Sequence, residues 1–171
     1  MDFRFIAPDL GEFDLATAEV IACCIYDDVW PMQGAAGVLD FRLAARLSRL
    51  ARSAFLAGSS GELLCVPARP RLPFDKILLF GMGPRRSFGD TTFRETLGRI
   101  GKALEGLKVP RAVVELPGRG DGAVSPEHAA ELLLAALPSE VHETWWLIEP
   151  PDAQRVLGDK LEQGRHKRRK A

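Results

Sequence analysis

Residues 18–26, AEVIACCIY, carry the clearest information about the fold of this chain. It is a nearly continuous apolar run that is too short for a typical helix. It is also too apolar for a strand that has one face exposed to solvent. The run therefore predicts a strand that is covered on both faces of its sheet. A loop, DDVWPMQGAAG at residues 27–37, follows it. Asp40 then has the position of an N-cap for a helix that runs to about Phe55.

Other segments extend this alternation of strands and helices along the chain. Helices are predicted from Thr91 or Thr92 to about Leu107, from the Ser125 cap to about Leu137, and over about 152–163. Further strands are predicted at Glu62–Val66, Lys76–Phe80, Arg111–Leu116 and Thr144–Ile148, with a short first strand near Phe3–Ile6. Alternation of this kind predicts an α/β fold with a mixed, mostly parallel sheet and helices on both faces.

The distribution of charge separates the chain into two parts. The 171 residues contain 23 Lys and Arg and 23 Asp and Glu, so the formal net charge is zero. The last seven residues hold five of the basic side chains and no acid, which leaves 18 basic and 23 acidic residues in 1–164. We therefore expect one globular domain at 1–164 and a basic, disordered tail at 165–171.

Composition also bears on where the protein works. No apolar run reaches the roughly 18 residues that a membrane span requires, and the N-terminus MDFRFIAPDLGEFD lacks the pattern of a secretory signal. The three cysteines, Cys23, Cys24 and Cys65, lack metal-ligand spacing. They predict buried free thiols in a reducing compartment, so we expect a cytoplasmic protein that makes no contact with membranes.

Several segments resemble the N-terminal domain of the leucyl aminopeptidase family, the cytosol aminopeptidases of peptidase family M17. The similar segments are MQGAAGVLDFRLAARLSRLAR at 32–52, GELLCVPARPRLPFDKILLFGMGPRRSF at 61–88 and LGRIGKALEGLKVPRAVVELPG at 97–118. The first resembles a Gly-Ala-rich turn followed by a Leu-rich helix in that family. The second resembles a strand, a Pro-containing turn and a second strand that ends in Gly-x-Gly. Altogether the resemblance covers most of residues 15–137.

The resemblance implies a three-layer, macro-domain-like fold. In the family, peptidase chemistry belongs to a separate C-terminal domain with two divalent metals and a signature like Asn-Thr-Asp-Ala-Glu-Gly-Arg. Nothing like that signature occurs in this sequence, and a two-metal site needs several converging carboxylates. We therefore expect a stand-alone relative that is not a peptidase, with no metal, no cofactor and no catalytic residues of its own.

Two glycine-containing loops are candidate ligand sites. In the loop at 33–37, backbone N–H groups before the first long helix are placed to bind a phosphate, as the glycine-rich loops of macro domains bind ADP-ribose. In the loop at 81–86, Gly-x-Gly and two arginines follow a strand, at the end where open α/β sheets bind ligands. The alternative is that the glycines only form tight turns and the arginines are solvated. The candidate residues are Gly34, Gly37, Gly81, Gly83, Arg85 and Arg86.

Two groups of basic residues are candidate contact surfaces. One is a stripe on the first long helix, Arg42, Arg46, Arg49 and Arg52. The other is in the tail, Arg165, Lys167, Arg168, Arg169 and Lys170. Either can meet an acidic protein partner or the phosphates of a nucleic acid, or simply be solvated.

The sequence thus favours a non-catalytic binding or regulatory module that acts by protein–protein contact or self-association. Two alternatives stay open. One is an ADP-ribose- or nucleotide-binding macro-like protein that uses the two loops. The other is nucleic-acid binding through the basic tail and the arginine-rich helix.

Overall fold

The computed structural model describes residues 2–136 and 144–170. The strands are β1 (Asp2–Ile6), β2 (Val20–Ile25), β3 (Leu63–Pro67), β4 (Lys76–Gly81), β5 (Arg111–Val114) and β6 (Thr144–Ile148). The helices are α1 (Leu10–Leu15), α2 (Gly34–Arg42), α3 (Arg46–Arg52), α4 (Asp90–Gly106), α5 (Pro126–Ala136) and α6 (Pro151–Lys170). A short 3-10 turn covers Arg85–Ser87.

The strands form one six-stranded sheet in the order β1-β6-β5-β2-β4-β3. Every neighbouring pair in it is parallel except β3 and β4, which are antiparallel. The prediction of a mixed, mostly parallel sheet is confirmed. Since β2 lies between β4 and β5, the chain crosses over β2 as it passes from β4 through α4 to β5.

Helices cover both faces of the sheet, as the run at residues 18–26 predicted. On β2, Val20, Ala22 and Cys24 face a core with α4, α5 and α6, whereas Ile21, Cys23 and Ile25 face a core with α1, α2 and α3. All of these β2 side chains are buried. We call the two helical layers the α1–α3 layer and the α4–α6 layer.

The α1–α3 layer differs from the prediction of one helix that begins at Asp40. The chain is already helical from Gly34, and it breaks after Arg42 because Ala44 and Ala45 adopt left-handed φ angles of 53° and 61°. Asp40 lies inside α2, and its carboxylate caps α3 instead: Oδ1 accepts N–H groups of Leu47 at 2.8 Å and Ser48 at 3.2 Å. Asp40 therefore caps a helix, as predicted. It does so from within α2, however, and not as the residue directly before the helix that it caps.

A short helix before β2 was not expected from the sequence. α1 begins after Asp9, whose carboxylate accepts the N–H of Glu12 at 2.9 Å. Its Phe13 is fully buried and packs edge-on against Phe74, with ring centroids 6.4 Å apart. One buried aromatic side chain and one cap therefore hold a helix of six residues in place.

The last helix is longer than predicted. It was expected to end near Gly164 and to leave a non-helical tail, but α6 continues to Lys170, so that expectation is corrected for residues 165–170. Glycine inside a helix costs about 1 kcal/mol relative to alanine. Here it lets α6 approach α5, because a Cβ on Gly164 would overlap the Leu134 side chain.

The cysteines are partly as expected. Cys23 and Cys24 are buried free thiols, whereas Cys65 is exposed because β3 is an edge strand whose odd-numbered side chains are not covered. Within the described residues, no helix combines the length and the apolar character needed to cross a membrane.

Candidate functional site

The carboxyl ends of three parallel strands, β2, β4 and β5, meet at one edge of the sheet. In open α/β sheets, this edge beside a crossover is where ligands bind. Here Tyr26 follows β2, Met82 follows β4 and Glu115 follows β5, and all three line a small cavity. We call it the strand-end cleft. Its volume of about 20 Å³ is enough for one water molecule.

Glu115 occupies the floor of the strand-end cleft and is 3% exposed. Its Oε1 accepts the N–H of Ala35 at 2.7 Å, and its Oε2 accepts the N–H of Cys24 at 3.0 Å. Ala35 lies in the first turn of α2, where unpaired N–H groups and the helix dipole favour an anion. The anion at this helix terminus is therefore the chain's own carboxylate.

Two glycines make room for Glu115. A Cβ on Gly34 or on Gly120 would overlap the Glu115 carboxylate, and Gly34 also has a left-handed φ of 62°. The loop at 33–37 was expected either to bind a phosphate or to form a tight turn. In the structure, the Ala35 N–H of this loop donates to the Glu115 carboxylate, and the absence of a side chain at Gly34 leaves room for that carboxylate.

Burial has a clear effect on the acidity of this group. It raises the pKa of Glu115 to about 7, although the two N–H donors oppose the shift, and the carboxylates of Asp121 and Glu149 add to it. Because the folded protein then binds this proton more tightly than the unfolded chain, the stability that Glu115 contributes is greatest below its unfolded pKa. That contribution falls as the pH rises through about 7.

A second polar group lies at the mouth of the strand-end cleft. Asp121 accepts a hydrogen bond from the Tyr26 hydroxyl at 3.1 Å and forms a short ion pair with Arg85. The Arg85 guanidinium also lies over the Tyr26 ring, 5.6 Å from its centroid, and the Arg85 N–H donates to Asp28 at 2.8 Å. Burial, with Asp121 nearby, raises the pKa of Tyr26. Arg85 is thus held by internal partners, while Arg86 is exposed.

The glycines of the second candidate loop form close backbone contacts. A Cβ on Gly81 would overlap the Ser59 carbonyl, and Gly83 has a φ of 76°. The Gly83 N–H donates to the Gly58 carbonyl at 3.0 Å. On α2, a Cβ on Gly37 would overlap the Met32 carbonyl. The structure therefore places both loops at one edge of the sheet, where their glycines make close contacts within the protein and Arg85 pairs with Asp121.

The four arginines predicted as one stripe lie on two helices. Arg42 is on α2, where it forms a two-point ion pair with Asp14, both contacts being 3.0 Å. Arg46 and Arg49 are on α3 and donate to the backbone carbonyls of Pro67 and Ala44. Arg52, at the end of α3, lies beside Trp30. The break between α2 and α3 is the reason why the single-helix stripe was wrong.

The basic residues near the C-terminus belong to α6. Arg165 packs its guanidinium over the Phe3 ring of β1, 5.1 Å from the centroid. The backbone of Lys167, Arg168, Arg169 and Lys170 continues the helix. Nucleic-acid binding through these residues stays a prediction.

Sequence reasoning missed Glu115, Asp121 and the buried ion pair between Arg119 and Glu149, whose two contacts measure 2.8 and 2.7 Å. A signal for Glu115 was present, since RAVVEL places an acid at the end of an apolar strand. Across residues 2–136 and 144–170, no three His, Cys, Asp or Glu side chains lie close enough together to hold a metal ion.

The chain is similar to known proteins both in sequence and in structure. The model of the cytosol aminopeptidase family, N-terminal domain, matches residues 27–140. A probable cytosol aminopeptidase of Halorhodospira halophila is 34% identical over 110 residues, which is 62% of this chain and 22% of that protein. The cytosol aminopeptidase of Pseudomonas aeruginosa is 30% identical over 105 residues, 60% of this chain and 21% of that protein. The chain thus spans about a fifth of the length of these relatives.

Solved structures show the same fold. A tomato leucine aminopeptidase variant superposes with a TM-score of 0.64 at 16% identity, covering 97% of this chain and 36% of that one. A macrodomain of Oceanobacillus iheyensis with ADP superposes with a TM-score of 0.70 at 14% identity, covering 92% of this chain and 90% of that one. The prediction of a macro-domain-like fold is confirmed.

Proposed function

The chain belongs to the cytosol aminopeptidase N-terminal-domain family, and on that premise we propose that it is a non-catalytic binding module that acts by protein–protein contact. The observation that carries this proposal is the outer side of the α1–α3 layer, which exposes large apolar side chains. Self-association is the form of contact that can be tested on the chain itself.

The exposed side chains are unusually large for a solvated surface. Phe41 is 81% exposed, Leu15 79%, Phe55 65% and Trp30 41%. Each of them lies on α1, on α2 or in a segment that adjoins α2 or α3. Exposed aromatic side chains and arginines on one layer are typical of protein interfaces, where both are enriched. We call these four residues the outer α1–α3 surface.

An ion pair joins the two helices that carry Leu15 and Phe41. Asp14 and Arg42 join the end of α1 to the end of α2. Leu15 and Phe41 are each next in sequence to one of the paired residues, so they lie at the same end of the layer. The ion pair is half-exposed and contributes little stability by itself. It does tie together the two helix ends that carry these apolar side chains, and preorganisation of this kind favours association.

Replacing Phe41 by Ser is expected to weaken self-association. Sedimentation equilibrium of the unaltered chain should show a monomer–dimer equilibrium. Phe41→Ser should raise the dissociation constant by about tenfold or more, the loss typical of an apolar anchor near the centre of an interface. Leu107→Ser is the matched control, because Leu107 is also an exposed large apolar residue but lies after α4, in the other helical layer.

Two outcomes would contradict the proposal in this form. One is a chain that stays monomeric up to about 0.5 mM, a concentration at which even weak interfaces are populated. The other is a Leu107→Ser variant that weakens association as much as Phe41→Ser, which would indicate unspecific contact between apolar side chains.

ADP-ribose binding in the strand-end cleft is the alternative proposal. The likeness to the Oceanobacillus iheyensis macrodomain with ADP supports it, as does the position of the cleft at the ends of β2, β4 and β5. The geometry of Glu115 opposes it. A diphosphate at the start of α2 would have to displace a carboxylate that already accepts the Ala35 and Cys24 N–H groups. Above about pH 7, where Glu115 is ionised, like charges would also repel each other there.

Isothermal titration with ADP-ribose separates the two proposals. We expect no binding heat at about 1 mM ligand, because the strand-end cleft has room for about one water and its anion position is filled. Saturable binding that Glu115→Gln strengthens, by removing the repelling charge, would establish the nucleotide proposal in place of ours.

A further inference from the structure

A groove on the α1–α3 layer has features that the contact surface alone does not explain. It lies between the loop after β2 and the end of α3, and its volume is about 430 Å³. Binding sites for small molecules usually measure about 300 to 1,000 Å³. Trp30, Pro31 and Ala51 give it apolar walls, and Ser48 and Arg52 add polar groups. We call it the Trp30 groove.

Trp30 is fixed in place although much of it is exposed. Its indole Nε1 donates to the Asp27 carbonyl at 3.0 Å. The side chain therefore presents its ring to the groove in one orientation. An aromatic ring that is already ordered loses little conformational freedom on binding, which favours its use as an anchor.

The groove has a positive charge at its edge. The α3 sequence RLSRLAR contains three arginines and no acid. Asp40 does not neutralise them, since its carboxylate is directed at the Leu47 and Ser48 N–H groups and the Ser48 hydroxyl. In the part of the chain that the structure describes, Arg52 is exposed and forms no ion pair with an acidic side chain.

We propose that the Trp30 groove binds a protein segment in which an aromatic side chain adjoins a carboxylate. The aromatic ring packs against Trp30 and Ala51, and the carboxylate pairs with the Arg52 guanidinium. This inference rests on the proposed role in protein contact, and it names the chemistry of the partner. Charge complementarity supports it, because the one charged residue in the lining of the groove is the Arg52 cation, which has no acidic partner among the described residues.

A single carboxylate fits this groove better than a nucleic-acid strand does. The lining of the groove offers a single cation, Arg52, which suits one carboxylate better than a run of phosphates. Proteins that bind single strands also stack successive bases on several aromatic side chains. The lining of this groove contains one aromatic residue, Trp30.

Nuclear magnetic resonance titration with three capped dipeptides tests the inference. The probe is N-acetyl-aspartyl-phenylalaninamide. Its controls are the asparaginyl analogue, which lacks the charge, and N-acetyl-aspartyl-alaninamide, which lacks the ring. We expect the Trp30 indole N–H resonance to shift saturably with the probe, at a Kd of about 1 mM. Each control dipeptide should bind at least about fivefold more weakly. The buried Trp145 indole should not move.

A pair of variants isolates the role of Arg52. Arg52→Gln should reduce the affinity for the aspartyl probe to that for the asparaginyl analogue. Arg155→Gln, an exposed arginine on α6, should leave it unchanged. Neither side chain packs in the core, so both variants should fold.

Three results would overturn the inference: no movement of Trp30 at about 10 mM probe, equal affinity of Arg52→Gln for the charged and uncharged dipeptides, or a stronger response to oligothymidylate than to the probe. Because Trp30 also belongs to the outer α1–α3 surface, the titration is done on protein diluted below the dissociation constant of the dimer. A chain that dimerises but ignores the probe contradicts this inference alone, and a monomeric chain that binds the probe contradicts only the dimer.

Discussion

Replacing Asp40 by Ala is expected to lower the free energy of unfolding by about 3 kcal/mol. The carboxylate is 9% exposed and satisfies the Leu47 N–H and the Ser48 N–H and hydroxyl. Those groups are at the start of α3, where the helix itself offers them no acceptor. Without the cap, nothing replaces these hydrogen bonds at the left-handed break formed by Ala44 and Ala45.

Urea denaturation of three proteins measures this effect. Asp40→Asn should cost less than about 1 kcal/mol, because both N–H groups bond to one oxygen and an amide keeps that oxygen. Asp159→Ala, on the exposed side of α6, should have almost no effect. If Asp40→Ala lowers the free energy of unfolding by no more than Asp40→Asn does, the carboxylate does not hold the α2–α3 break in place.

Replacing Glu115 by Ala is expected to have an effect of similar size that depends on pH. The variant leaves the Cys24 and Ala35 N–H groups without their acceptor and opens a void at the floor of the strand-end cleft. At about pH 5 the cost should be about 3 kcal/mol. Since burial raises the pKa of Glu115 to about 7, the unaltered protein loses stability as the pH rises towards this value, so the cost of the substitution should shrink between about pH 5 and about pH 7 and then level off.

A series of urea denaturations from about pH 5 to about pH 8 checks both the size and the sign. The difference between the unaltered chain and Glu115→Ala should fall by up to about 3 kcal/mol across the series, which corresponds to the rise in pKa from 4.5 to about 7. Glu95→Ala, at an exposed position on α4, is the control. A difference that stays constant or grows with pH would mean that Glu115 is ionised and well stabilised throughout.

The layered fold was predictable because its signals are local. The apolar run at 18–26 has to be covered on both faces, and the spacing of apolar residues on α4 gives it one buried stripe. The break between α2 and α3 was not predictable in this way. It depends on two alanines in an unfavourable left-handed conformation, held by a carboxylate that is seven residues before its N–H partner.

The strand-end cleft was predictable in position but not in content. The sequence placed glycines and arginines at the right edge of the sheet, since parallel strands end there together. It did not show that Glu115 would reach Ala35, which is 80 residues earlier in the chain. A glycine before a helix leaves room for a phosphate and for a buried carboxylate equally well. The sequence cannot distinguish the two ligands, because the choice depends on long-range contacts.

Hydrogen–deuterium exchange on dilute and on concentrated protein tests most directly whether contact occurs at the outer α1–α3 surface rather than in the strand-end cleft. We expect concentration to slow exchange in residues 10–15 and 34–55 and to leave the cleft loops at 82–88 and 116–124 unchanged. Slowing confined to the cleft loops, or no slowing in any part of the chain at about 0.5 mM, would contradict a binding module that uses its outer helical layer.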